Sequence, residues 1–311
     1  MGFVGSQAAA PILIGGLSRL EYRGYDSAGM AMVTGDGLQV RKLAGRVSGL
    51  ANLVQAFPVS GSCGIAHTRW ATHGAPTEAN AHPHLDCCGD LAVVHNGIIE
   101  NADVLRERLE WAGHRFITET DTEALAHLIE DAAGDTLEAR VVAALEHVDG
   151  TYGLAVVSRT EPDKIVVARQ GSPVLVGIGT DGLFVASDPA ALVEHTRSMV
   201  CLNDGEVAVL RRDGYQVLDA DARVRVPEVA DITWDPSAIE LKGHPHFMLR
   251  EIREQPETIR ATARGRLLFE AGTTRLNGLK IAGEEASGLE RIVLLGCGTS
   301  WHAALAGREI I

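Results

Sequence analysis

An α+β class of stacked sheets covered by helices is what this sequence predicts. The first two-thirds of the chain break into many short apolar runs, most of them bounded by Gly, Asp or Asn as hairpin strands are. A handful of stretches with helical spacing are scattered among them. Many short strands with few helices bury their apolar faces best as packed sheets under helical covers. No internal repeat and no low-complexity tract competes with this reading.

Helical spacing is expected in Gln7 to Leu20, Ala102 to Ala112, Thr122 to Ala133 and Leu137 to His147. Thr120, followed three residues later by Glu123, suits a capping box at the head of the third. Strands are expected at Gly29 to Val33, Leu38 to Leu43, Gly64 to Thr68 and Leu91 to His95. Others are Tyr152 to Ser158, Lys164 to Arg169, Val174 to Ile178, Leu183 to Ala186 and Glu206 to Leu210. From Arg223 to Gly243 the pattern loosens around Pro227 and Pro236, as a linker does. His246 to Glu254 is helical, with Pro256 marking a kink or a fresh start. Arg291 to Leu295 reads as a compact strand, followed by Gly296-Cys297-Gly298-Thr299-Ser300 and a helix-like run. One strand, one loop and one helix cannot bury their own apolar faces, so the expectation is a second domain cut short at Ile311.

The chain has 311 residues, 46% of them hydrophobic, and a formal net charge of -13. That charge disfavours a sequence-independent grip on nucleic acid, which needs clustered Lys and Arg. The five cysteines form no C-x-x-C pair, and Cys87 and Cys88 are adjacent, so no disulfide framework is implied and a reducing, cytoplasmic compartment fits. Ala8 to Leu20 carries Pro11 and ends near Arg19, which is a helix and not a signal peptide; no apolar run is long enough to span a membrane.

Six strings could carry chemistry. Ala66 to Gly74 ends an apolar strand in a polar loop, and Arg69 there offers a planar fork of donors suited to a carboxylate. The same string also fits a surface ion-pair arginine beside a core Trp70. Val93 to Gly97 ends in Asn96-Gly97, which is either the commonest hairpin turn or a pair of donors for an oxyanion. Glu119 to Glu123 holds acids that either cap a helix or, at Asp121, pair with a substrate ammonium. His82-Pro83-His84 and His244-Pro245-His246 stand in no zinc-type framework and read as ordinary histidines, so no metal and no cofactor is expected. Gly298, Thr299 and Ser300 form a short Gly loop at a helix start, where an anion binds well.

Taken together, several strings resemble glutamine–fructose-6-phosphate aminotransferases (isomerizing). They are Leu20 to Gly29, His67 to Gly74, Asn80 to His84, His95 to Asn101, Glu119 to Glu123, His246 to Pro256 and Gly296 to Ser300. The resemblance implies a four-layer α/β/β/α N-terminal-nucleophile glutaminase fold over residues 1–222. A linker and junction helix would follow over 223–285, and the start of a sugar isomerase domain over 286–311. It implies hydrolysis of glutamine to glutamate, with ammonia passed to a sugar site where fructose 6-phosphate becomes glucosamine 6-phosphate. By motif position Arg69 holds the glutamine carboxylate, Asp121 its α-amino group, and Asn96 and Gly97 the oxyanion. Thr72 and His73 line the pocket, Trp70 stands at the mouth of the ammonia path, and Arg23 supports the N-terminal site. Gly298, Thr299 and Ser300 open the sugar-phosphate loop. The resemblance also implies a homodimer for the full-length protein.

Two departures stand out. The family begins Met-Cys-Gly, two apolar residues and Gly, whereas this chain begins Met1-Gly2-Phe3-Val4-Gly5, which reads as a deleted cysteine. That cysteine, freed of its methionine, is the expected nucleophile, with its own α-amine as base. The family's sugar half also continues beyond Ile311, so fructose 6-phosphate is a partner only with that half present. The competing expectation is a non-catalytic glutamine-binding module or a truncated, inactive homologue.

Overall fold

The computed structural model describes residues 1–71, 74–219, 222–232, 243–264, 266–268, 272–274 and 288–310. They fall into two compact units, Met1–Glu240 and Leu241–Ile311.

In the first unit the chain opens with β1 (Gly2–Gly5), α1 (Ala9–Leu20), β2 (Ser27–Thr34), β3 (Gly37–Ala44), α2 (Val47–Ala56) and β4 (Cys63–Arg69). It continues through β5 (His84–Leu85), β6 (Leu91–Ile99), α3 (Ala102–Trp111), α4 (Asp121–Asp131), α5 (Leu137–Leu145), β7 (Gly150–Ser158) and β8 (Glu161–Gln170). Then come β9 (Leu175–Ile178), β10 (Gly182–Ala186), β11 (Ser198–Cys201), β12 (Val207–Arg211), β13 (Gly214–Leu218), β14 (Val224–Arg225) and β15 (Ala230–Asp231). One sheet has eight strands in the order β15-β11-β9-β10-β1-β4-β2-β3; the other has seven, β14-β13-β12-β8-β7-β6-β5.

Period-two alternation builds the layers. On β6, Ala92 and Val94 face the partner sheet while Leu91 and Val93 face helices. Ala155 and Val157 point inward on β7, and Leu154 and Val156 outward. On β1, Val4 joins the inter-sheet core while Phe3 packs with Leu13 and Leu17 of α1 and Leu50 of α2. Side chains that alternate across each sheet need a cover on both faces. Helices α1 and α2 cover one sheet and α3 to α5 the other, giving helix, sheet, sheet, helix. Gly16 inside α1 costs helix stability relative to Ala. A β-carbon there would stand 1.9 Å from the Met1 sulfur, so the glycine makes room for the first residue's side chain.

Several expectations need correction. β6 runs through Asn96-Gly97 as a paired strand to Ile99, with Asn96 opposite Gly153 and Gly97 opposite Tyr152, so this is no hairpin turn. Thr120 is the N-cap residue of α4 but makes no capping bond. Its hydroxyl meets His84 Nε2 at 3.1 Å, while Glu123 accepts from Ile117 N and Thr118 N, so the capping box is replaced by a wider loop clasp. Helix α2 was not expected; it buries only Val47 and Leu50, too thin a stripe to read as periodicity.

In the second unit, α6 (Phe247–Ala263) continues through Pro256; of the two expected outcomes, a kink or a fresh start, this removes the fresh start. The paired strands β16 (Leu267–Leu268) and β17 (Thr273–Thr274) and the helix α7 (Thr299–Ile310) follow. The expected strand Arg291–Leu295 is not formed. A strand is held by its neighbour's hydrogen bonds, and among the described residues none pairs with it. No helix among the described residues is long and apolar enough to cross a membrane.

Candidate active site

A cleft of about 200 Å³ opens where the ends of β1, β4 and β6 meet the head of α4. Met1, Arg69, Asn96, Gly97 and Asp121 line it, with Arg23 and Trp70 also on its wall. The strings read separately from the sequence thus converge. Thr72 and His73 lie outside the described residues. Gly298, Thr299 and Ser300 belong to the second unit, where Gly298 takes a left-handed φ of 55° just before α7.

Each side chain is placed by its element. Arg69 ends β4 opposite Ser27 of β2 and is buried, not the surface ion-pair partner that its string also allowed. Its guanidinium donates to Ala75 O at 3.3 Å and Gly74 O at 3.5 Å, tying it to the loop beyond β4. Burial lowers its pKa, and the carboxylates of Asp121, Asp26 and Glu119 act in the opposite sense. Trp70 is 58% exposed, which removes the core reading, and meets Tyr25 edge to face. Asp121, at the first turn of α4, accepts from Ile99 N at 3.0 Å. Arg23 donates to Asp188, which also takes the Tyr22 hydroxyl.

Asn96 is oriented by a histidine. His67 Nε2 donates to Asn96 Oδ1 at 2.8 Å. Only an imidazole protonated on Nε2 can do this, and the amide's donor end, Nδ2, then has no partner among the described residues. Burial holds His67 neutral, with its pKa down at about 3. His82 stacks on it at 4.2 Å between ring centroids, and His84 packs on His82 at 4.7 Å. The Thr122 hydroxyl lies 2.9 Å from His82 Nε2 and 3.0 Å from His95 Nδ1. His82 and His84 are therefore buried, hydrogen-bonded histidines.

Gly97 has a structural reason of its own. Its φ is 139°, and a β-carbon there would stand 2.0 Å from Thr151 O. Gly97→Ala should destabilise the domain by roughly 2–6 kcal/mol, from backbone strain plus overpacking. Gly89, with φ 72° and open space around it, should tolerate alanine far better. Urea unfolding of the two variants side by side checks this; equal midpoints would refute it.

The first residue completes the cleft. Met1 N donates to Ala66 O at 2.6 Å, and Met1 O accepts from Ala66 N at 2.7 Å, so Met1 continues the pairing of β1 with β4. Burial pushes the α-amine's pKa down to about 5, leaving an uncharged amine at neutral pH. Sequence reading did not reveal the roles of Asp26, Asn80 and Glu119. Asp26 takes Ala71 N at 2.9 Å; Asn80 bridges Ala75 O and Glu119, holding the loop that follows Arg69. Only the clustering of polar residues around Arg69 hinted at them.

A pH dependence follows. Burial first, and neighbouring positive charge second, place His67 and His84 at about 3 in the folded chain, below the ordinary imidazole value of 6.5. Between those values the unfolded chain binds protons that the folded chain refuses. This stability is therefore whole above about pH 6.5 and is lost as pH falls toward 3, each group steepening the decline by up to about 1.4 kcal/mol per pH unit. The Met1 amine acts in the same sense from pH 8 to 5. Urea midpoints should fall steadily from pH 8 to 5; a flat profile would contradict buried neutral imidazoles.

Comparison with known proteins agrees with this geometry. A family model described as a glutamine amidotransferase domain matches residues 67–194. Glutamine–fructose-6-phosphate aminotransferase (isomerizing) of Chlorobaculum tepidum is 47% identical over 100% of this chain and 52% of its own length. The chain carries a glutamine amidotransferase domain. The equivalent protein of Thermus thermophilus is 46% identical over 100% of this chain and 51% of its own length. The chain thus spans about half the length of the curated relatives it matches. Among solved structures, glutamine phosphoribosylpyrophosphate amidotransferase of B. subtilis, complexed with ADP and GMP, superposes with a TM-score of 0.63 at 28% identity. That match covers 72% of this chain and 49% of the other. The allosteric regulatory enzyme of purine biosynthesis gives the same TM-score at 29% identity, over 70% of this chain and 48% of its own. The domain has the N-terminal-nucleophile glutaminase fold, as the resemblance implied.

Proposed function

We propose that the cleft binds glutamine and that the domain hydrolyses it to glutamate and ammonia when a cysteine stands first. The observation that carries this is the meeting, in one cleft, of the Arg69 guanidinium, the Asp121 carboxylate, the Asn96 amide and the neutral Met1 amine. Arg69 takes the α-carboxylate through paired charge-assisted bonds, and Asp121 takes the α-ammonium. The two charges fix a zwitterion by its amino-acid end and leave the side-chain amide near Asn96, Gly97 and the first residue. Asn96 Nδ2 and the Gly97 amide stabilise the oxyanion that forms as the carboxamide is attacked. The uncharged α-amine removes the proton from the nucleophile beside it. Met1 fills the nucleophile's place, directly ahead of Gly2, with a thioether that has no proton to lose. Arg23 braces this end of the cleft through Asp188, and Trp70 stands at the rim where ammonia would leave.

In a chain of the relatives' full length, the ammonia would go to a sugar site and convert fructose 6-phosphate to glucosamine 6-phosphate. Gly298, Thr299 and Ser300 would hold the sugar phosphate at the start of α7, and the protein would work as a cytoplasmic homodimer. The relatives' names and the identity over the whole of this chain support the sugar reaction in that extension.

Titration calorimetry with glutamine tests the pocket. Glutamine should bind, and glutamine esterified on its α-carboxylate should not, because Arg69 would lose its anion. Equal binding of the two would refute the placement.

A further inference from the structure

Away from the cleft, Cys87, His114, His127 and Glu130 bring four metal-binding atoms within 4.8 Å of one another. Cys87 lies between β5 and β6, His114 just beyond α3, and His127 and Glu130 one turn apart on α4. Cys87 Sγ is 3.5 Å from His114 Nδ1 and 3.5 Å from His127 Nδ1. Glu130 Oε2 is 3.1 Å from His114 Nδ1 and 3.2 Å from His127 Nδ1. Zinc bound tetrahedrally at ordinary lengths sets sulfur about 3.6 Å from nitrogen and nitrogen about 3.4 Å from oxygen. The two sulfur–nitrogen and two nitrogen–oxygen separations are close to edges of such a tetrahedron, and all four atoms lie within 4.8 Å of one another.

The surroundings fit as well. A metal-bound imidazole commonly turns its other nitrogen to a carboxylate. His127 Nε2 is buried without a hydrogen bond and faces Glu123 Oε1 at 3.8 Å; His114 Nε2 faces Asp131 Oδ1 at 3.9 Å. Phe116 closes one side of the His127 ring. A thiolate, a carboxylate and two neutral imidazoles together balance one divalent cation.

We propose that Cys87, His114, His127 and Glu130 form a zinc site. Its four protein ligands close the coordination sphere, so the ion has a structural role and leaves no position for substrate. It ties the turn after β5 and the end of α3 to α4, the helix whose first residue is Asp121.

Metal-free chain titrated with cobalt(II) should take up one equivalent and develop thiolate-to-cobalt charge transfer with the strong visible bands of a tetrahedral ion. Zinc should displace the cobalt, raise the unfolding temperature and shield Cys87, but not Cys88 or Cys201, from alkylation as mapped by mass spectrometry. Cys88→Ser should behave as the parent; Cys87→Ser and His127→Gln should lose the bands and the zinc-dependent stabilisation. Should either fail to fold, the spectrum and the alkylation map of the parent chain still decide. Absence of the thiolate band, or alkylation of Cys87 unchanged by zinc, overturns the proposal, as does a band retained in Cys87→Ser.

Discussion

Met1→Cys, in a chain processed so that this cysteine carries the free amine, should release ammonia from glutamine far faster than the parent chain. The expected gain is on the order of a millionfold, the scale on which a serine protease suffers when its nucleophile is removed. The amine is already buried, uncharged and fixed against Ala66 O, and the Asn96 amide is already turned by His67. The missing element is a group that can attack a carbonyl; a thiol beside a base does so and a thioether does not. Intact mass confirms the processed terminus, and glutamate and ammonia are measured in equal amounts. A correctly processed variant that stays inert would show that the donors around Asn96 and Gly97 do not face the carboxamide.

Arg69→Ala should abolish glutamine binding. Removing one partner of a buried, hydrogen-bonded ion pair costs about 2–5 kcal/mol, or roughly 30- to 5000-fold in affinity. The bound carboxylate would lose its partner, and Asp121, Asp26 and Glu119 would lose the cation that their charges surround. Arg69 also holds Ala75 O and Gly74 O, so the loop after β4 should loosen. Asn80→Ala separates the two effects. It removes the bridge between Ala75 and Glu119 without touching the guanidinium, so it should weaken binding much less. Calorimetry on the pair decides. Unchanged affinity in Arg69→Ala refutes its role, and equal losses in both variants would assign the effect to the loop.

Much of the fold was legible from local patterns. Short apolar runs along Leu91 to Val94, Leu154 to Val157 and Ile165 to Ala168, bounded by turn residues, marked strands, and the spacing in α3, α4 and α5 marked helices with one apolar stripe. The short strands β1, β5, β11 and β13 escaped the sequence reading. Asn96-Gly97 misleads when read locally. Its composition favours a tight turn, but pairing with Tyr152 and Gly153 holds it extended. Likewise Thr120 and Glu123 have the spacing of a capping box, yet His84 offers the threonine hydroxyl a closer partner from another segment.

By itself the sequence determined the apolar strands, the apolar helix stripes and the separate polar strings around Arg69, Asn96 and Asp121, because each is a local pattern a few residues long. Only the tertiary structure decided that these strings share one cleft with the Met1 amine, that His67 turns the Asn96 amide, and that Cys87, His114, His127 and Glu130 converge. Those relations join groups tens of residues apart. They arise because two twisted sheets, packed face to face to bury their inner side chains, bring the ends of distant strands and the head of α4 to the same edge.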